Sequence, residues 1–133
     1  MDTIRFLPTS VHGVLDYLVG IALIAAPWIF GFAYVGGAAV YVPIVLGIAL
    51  ILYSLVTRYE LGIPGIKFLP MPYHLVIDFL AAVFLAASPW IFGFASKPLN
   101  VWLPHLVVGI VVVLVVLVSQ THPRMEVATA GGR

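Results

Sequence analysis

Four long apolar stretches, parted by short breaks, set the pattern of this chain. Residues 17–57 contain no Asp, Glu, Lys or Arg, and neither do residues 79–96 or 98–123. The first of these runs is too long for one membrane crossing of about 20 residues and long enough for two. Gly36-Gly37 near its middle offers a turn. The pattern predicts helices over roughly 9–30, 39–57, 71–92 and 101–120. Strands are a poor alternative, because no apolar–polar alternation of period two is visible and an open sheet leaves its backbone unsatisfied in lipid.

The chain also repeats itself. At an offset of 62, Ile4, Phe6, Leu7 and Pro8 fall on Ile66, Phe68, Leu69 and Pro70, and Arg5 falls on Lys67. His12, Val14 and Asp16 fall on His74, Val76 and Asp78. Pro27-Trp28-Ile29-Phe30-Gly31-Phe32-Ala33 falls on Pro89-Trp90-Ile91-Phe92-Gly93-Phe94-Ala95, and Gly47-Ile48 falls on Gly109-Ile110, all without a gap. This is a duplication. The expected organisation is one two-helix unit over 4–65, a second over 66–122 and a flexible cytoplasmic tail over 123–133. Two helices per unit return the chain to the side it started from. Both copies then run in the same sense, related by a pseudo-two-fold axis along the membrane normal. The predicted fold is an all-α membrane protein of four transmembrane helices, two tandem hairpins in parallel orientation.

Composition agrees with a lipid-facing exterior. The 133 residues are 63% hydrophobic and 8% charged, against about 25% charged in soluble domains. A net charge of +1 gives no basic patch, and nucleic acid is not an expected partner. Cysteine is absent, which excludes disulfides, thiolate metal sites and cysteine nucleophiles within this chain. The N-terminal segment is not expected to be a signal peptide: Asp16 interrupts its apolar run, and the same segment recurs later. Arg5, Arg58, Lys67, Arg124 and Arg133 fall on the side of the termini and Lys97 on the other. Both termini are therefore expected in the cytoplasm, with the protein in the cell's inner (plasma) membrane.

Ser88-Pro89-Trp90-Ile91-Phe92-Gly93-Phe94 resembles the motif of the SPW repeat family, bacterial and archaeal membrane proteins with two transmembrane helices per repeat and the motif in the first. The resemblance covers about residues 4–122. It implies the four-helix architecture and no particular activity. The first copy departs from the motif, reading Ala26-Pro27-Trp28 without the serine, which argues against an essential hydroxyl. In physical terms proline removes a helical hydrogen bond, and Ser88 can serve the carbonyl so freed. Trp28 and Trp90 suit the outer interface, and Gly31 and Gly93 suit helix C-termini.

Few polar side chains fall within the spans. His12 with Asp16, and His74 with Asp78, are spaced i, i+4, which puts each pair on one helix face. An unpaired carboxylate about 10 Å into the membrane costs a few kcal/mol, so it should turn inward toward a donor. Three roles are open: a structural polar clasp, a proton- or cation-handling site, and a divalent-metal or haem site. The last needs the two copies to converge, which duplication alone does not establish. No metal or cofactor is assigned on this basis.

Gly20, Ala82, Gly47 and Gly109 are expected at close helix contacts. His105 is expected at the outer interface and His122 in solvent. The loop from Arg58 to Pro70, with Ile66, Phe68 and Leu69, is expected along the membrane surface. The expected function is a non-enzymatic membrane module that meets the lipid bilayer and packs against itself or another membrane protein. The alternative is a small proton- or cation-handling protein using the His/Asp pairs.

Overall fold

The computed structural model describes residues 4–123. Its elements are α1 (Thr9–Ile29), a 3-10 turn (Ala33–Val35), α2 (Gly37–Leu55), α3 (Met71–Ile91) and α4 (Leu99–Val118). All four α-helices are long and apolar enough to cross a membrane. There are no strands among the described residues. The greater part of the expected tail, with Arg124 and Arg133, lies outside them.

The repeat is visible in the backbone. Pro8 and Pro70 hold the extended conformation just before α1 and α3, with φ −60° and −62°. Gly31 and Gly93 take left-handed φ of 72° and 74° one residue past the C-caps Phe30 and Phe92, where a side chain would be strained. Gly36 and Gly37 (φ 67° and 59°) make the turn into α2. Both α2 and α4 begin and end two residues before the expected bounds. The earlier ends have their reason past the C-termini, where the backbone exchanges helical bonds for extended pairing. Leu69 N–H donates to Val56 O at 2.9 Å and Arg58 N–H to Leu69 O at 2.7 Å. At the equivalent positions Leu7 N–H donates to Val118 O and Gln120 N–H to Leu7 O, both at 2.9 Å. The segment after each hairpin is thus tied to the segment that leads into the other repeat's hairpin, at the end of the bundle that carries Arg5, Arg58 and Lys67.

Helices α1 and α2 form one close hairpin, and α3 and α4 form the other. The contact points are the small residues. A Cβ placed on Gly47 would lie 2.6 Å from Gly20 O, and one on Gly109 would lie 2.7 Å from Ala82 O. Backbones can approach this closely only where side chains are absent or small. The core runs along the bundle axis in three groups. Ala26, Phe32, Ala39, Phe94 and Val101 close one end, Leu23, Val42 and Leu85 fill the middle, and Tyr59, Met71, Leu75 and Val116 close the end near the termini. Large apolar side chains such as Leu18, Leu52, Leu80 and Leu114 point outward, the inverse of a water-soluble surface.

The pseudo-symmetry is imperfect. Helix α2 packs on α3 more closely than α1 packs on α4. Along α1 and α4 a cavity of about 210 Å³ opens, walled by residues such as Val19, Ala22, Val108 and Val111.

Candidate functional site

The two polar pairs meet. His12 and His74 each stand one turn into their helices, and Asp16 and Asp78 one turn further, all on the inward stripe. His12 Nε2 lies 3.1 Å from Asp16 Oδ1 in its own helix and 2.9 Å from Asp78 Oδ2 in the other repeat. His74 Nε2 lies 3.1 Å from Asp78 Oδ2 and 3.1 Å from Asp16 Oδ2. The result is a closed ring of four ionisable groups in which every histidine touches both aspartates. All four are buried, with at most 5% of any of them exposed. The sequence expected each aspartate to find a histidine. It left open whether the two pairs met.

Each carboxylate also accepts from a phenol, Asp16 on the oxygen that faces His74 and Asp78 on the oxygen that faces neither histidine. Tyr59 OH donates to Asp16 Oδ2 at 2.7 Å, and Tyr53 OH donates to Asp78 Oδ1. Tyr59 lies in the connection after α2, outside the spans, and is fully buried. Burial, with the Asp16 charge adding to it, pushes its phenol well above the ordinary tyrosine range. It is therefore a donor to Asp16 at any physiological pH.

The outer nitrogens of the histidines are fixed by hydroxyls. His12 Nδ1 lies 2.6 Å from Ser119 Oγ, and His74 Nδ1 lies 2.7 Å from Thr57 Oγ1. Thr57 and Ser119 are equivalent positions at the offset of 62, and each stands just beyond the helix that closes its own unit. The symmetry here is an exchange: each histidine is bonded by the hydroxyl of the other repeat. Which group donates follows from the helix ends. Thr57 Oγ1 lies 2.6 Å from Tyr53 O, and Ser119 Oγ lies 2.6 Å from Val115 O. Those last-turn carbonyls are not served by the N–H four residues on, because Thr57 N–H bonds Ser54 O and Ser119 N–H bonds Val116 O. In an apolar setting such carbonyls need a donor. Each hydroxyl has one proton and gives it to the carbonyl, so its oxygen accepts from the imidazole. Both histidines therefore carry hydrogen on Nδ1, and both Nε2 atoms face the centre of the ring.

A small cavity of about 30 Å³ borders Asp78 and Tyr53, with otherwise apolar walls including Leu50, Ala81 and Leu85. That is room for about one water molecule.

The motif residues lie at the far end of the bundle, away from the ring. Pro27 and Pro89 are buried within the last turns of α1 and α3. Pro89 leaves Leu85 O without its usual donor, and Ser88 Oγ supplies one at 2.6 Å. Trp28 and Trp90 are 64% and 58% exposed, as side chains anchored at an interface are. His105, expected at the outer interface, is instead 2% exposed. It is at the right depth but faces inward, where Nε2 donates to Ala39 O at 2.8 Å and its ring packs on Phe32 and Phe94. His122 is exposed.

Four residues of the site were not singled out from sequence: Tyr53, Thr57, Tyr59 and Ser119. For Thr57 and Ser119 a signal existed, since the repeat offset pairs two hydroxyl residues. The tyrosines have no counterpart, because Val115 and Thr121 occupy the equivalent positions.

A family model described as the SPW repeat domain matches residues 10–119. No curated protein and no solved structure matches the chain.

Proposed function

The chain belongs to the SPW repeat family, and from that premise we propose that this multi-pass membrane protein is a non-enzymatic scaffold, a module whose two repeats are locked together by the His/Asp ring. One observation carries this. Every polar atom that the ring directs outward is bonded within the chain, to Ser119, Thr57, Tyr53 or Tyr59. Groups committed in this way fix packing and present nothing to a substrate. The outer faces are apolar and are left for lipid and for contact with a second copy or another membrane protein. The expected setting is the inner membrane with both termini cytoplasmic. Arg5, Arg58 and Lys67 at the end of the bundle that holds the termini, against Lys97 at the other, support that orientation.

The alternative, proton or cation handling, is favoured by the convergence of four ionisable groups in one buried place. One experiment separates the two. Asp16→Asn and Asp78→Asn variants are compared with the parent for thermal unfolding in detergent and for proton or cation flux in liposomes. The scaffold predicts lowered stability and no flux in any form. Flux in the parent that disappears in folded variants would establish the alternative.

A further inference from the structure

We propose that the ring is a binding site for one divalent transition-metal ion, with zinc the best fit, held by His12 Nε2, His74 Nε2 and one carboxylate oxygen from each of Asp16 and Asp78. This goes beyond the scaffold role and does not depend on it, since the donors are defined by geometry alone.

The donor set is compact. One ligand atom from each of the four residues lies within 4.8 Å of all the others, and the nitrogen–oxygen contacts of the ring, in which the two histidines meet different oxygens of Asp16, are 2.9–3.1 Å. A tetrahedron with bonds of about 2.0–2.1 Å has edges of about 3.3–3.4 Å. Reaching that figure needs the short contacts to open by a few tenths of an ångström and the widest separation, up to 4.8 Å, to close. Two imidazoles and two carboxylates are borderline donors suited to zinc, and the two negative charges offset a divalent ion.

The second observation concerns what faces the centre. His74 Nε2 is fully enclosed and makes no hydrogen bond, although two carboxylates lie 3.1 Å away. It is a buried polar atom aimed into the ring without a partner of good geometry. Because the hydroxyls of Thr57 and Ser119 hold hydrogen on Nδ1, each Nε2 faces the two carboxylates, and a positive charge has to lie between them. A proton supplies it in the metal-free ring, as in the bond from His12 Nε2 to Asp78 Oδ2, and a divalent cation at the centre would take the proton's place. The outer partners are also those that tune a metal site. Nδ1–H bonds fix the orientation of each imidazole, and phenol donors on both carboxylates favour single-oxygen ligation. Four protein ligands with no exposed edge describe a structural site more than a catalytic one.

The test uses the full chain purified in detergent without a polyhistidine tag, stripped with a chelator, then dialysed against Zn²⁺ or Co²⁺. The parent should retain about one ion per chain, and Co²⁺ should give the strong visible absorption of a four-coordinate N/O site. His12→Gln and His74→Gln should abolish retention. Thr57→Val and Ser119→Ala keep all four ligands and should weaken binding about 10- to 100-fold. His122→Gln should change nothing. A folded parent that retains no ion, or retention that survives His12→Gln and His74→Gln, overturns the proposal. The parent result does not depend on whether any variant folds.

Discussion

His12 Nε2 of the first repeat lies 2.9 Å from Asp78 Oδ2 of the second, closer than it lies to Asp16 in its own helix at 3.1 Å. The polar pairs written into each copy are therefore not two local clasps. They are one clasp between copies, and its loss should be felt as a loss of the interface between the two hairpins.

Removing one member leaves charge or polarity buried without a partner. Asp78→Asn and His12→Gln are each expected to destabilise the protein by about 3–5 kcal/mol, the range for breaking a buried pair. Chemical unfolding in detergent, followed by far-ultraviolet circular dichroism, measures this. A change below about 0.5 kcal/mol, the scale of ordinary surface substitutions, would contradict it.

Thr57→Val and Ser119→Ala should cost similar amounts, about 1–3 kcal/mol each, because each strands an Nδ1–H and a last-turn carbonyl. Similar values at positions 62 residues apart would reflect the exchange symmetry of the site. The same unfolding measurement applied to both variants tests this. A cost confined to one of them would show that the two halves of the ring are held differently.

The hairpin contacts make a steric prediction. A methyl group at Gly47 meets Gly20 O, and one at Gly109 meets Ala82 O. Neither backbone can yield as a flexible side chain would. Gly47→Ala and Gly109→Ala should each destabilise by about 1–3 kcal/mol, in spite of alanine's better helix propensity. Thermal melts that rise in these variants would contradict the close approach.

Much of this was legible in the sequence. The helices follow from the charge-free runs, the relation between hairpins follows from the offset of 62, and the four ring members follow from i, i+4 spacing in both copies. The exchange of partners was not legible. That His12 reaches Asp78 as well as Asp16 depends on how the two hairpins come together, which nothing local to the histidines encodes. Tyr53 and Tyr59 were missed for a related reason. Tyr53 in an apolar run reads as a core or interface aromatic and Tyr59, between Arg58 and Glu60, as a loop residue, and only the tertiary fold shows that both hydroxyls end on carboxylates. His105 was misplaced because helical depth is readable from position, whereas rotation toward Ala39 O is not.

Alkaline pH should weaken the fold through Tyr59. Its phenol is held neutral in the folded protein, with a pKa raised above the usual value of about 10, mainly by burial. The unfolded chain then loses this proton first as pH rises. The contribution is complete below about pH 10 and declines above it. Tyr59→Phe should flatten that part of the stability profile while lowering stability at neutral pH through loss of the bond to Asp16. A profile between pH 9 and 11 that is the same in parent and variant would contradict the assignment.

The most direct test of the clasp is a double-mutant cycle between His12 and Asp78, measured as unfolding free energy in one detergent with His12→Ala, Asp78→Ala and the double variant. Residues in one polar network should show a coupling energy of about 1–3 kcal/mol, so that the double variant costs less than the sum of the singles. Additivity within about 0.5 kcal/mol would mean that the two side chains do not interact, and that the repeats are not joined through this ring.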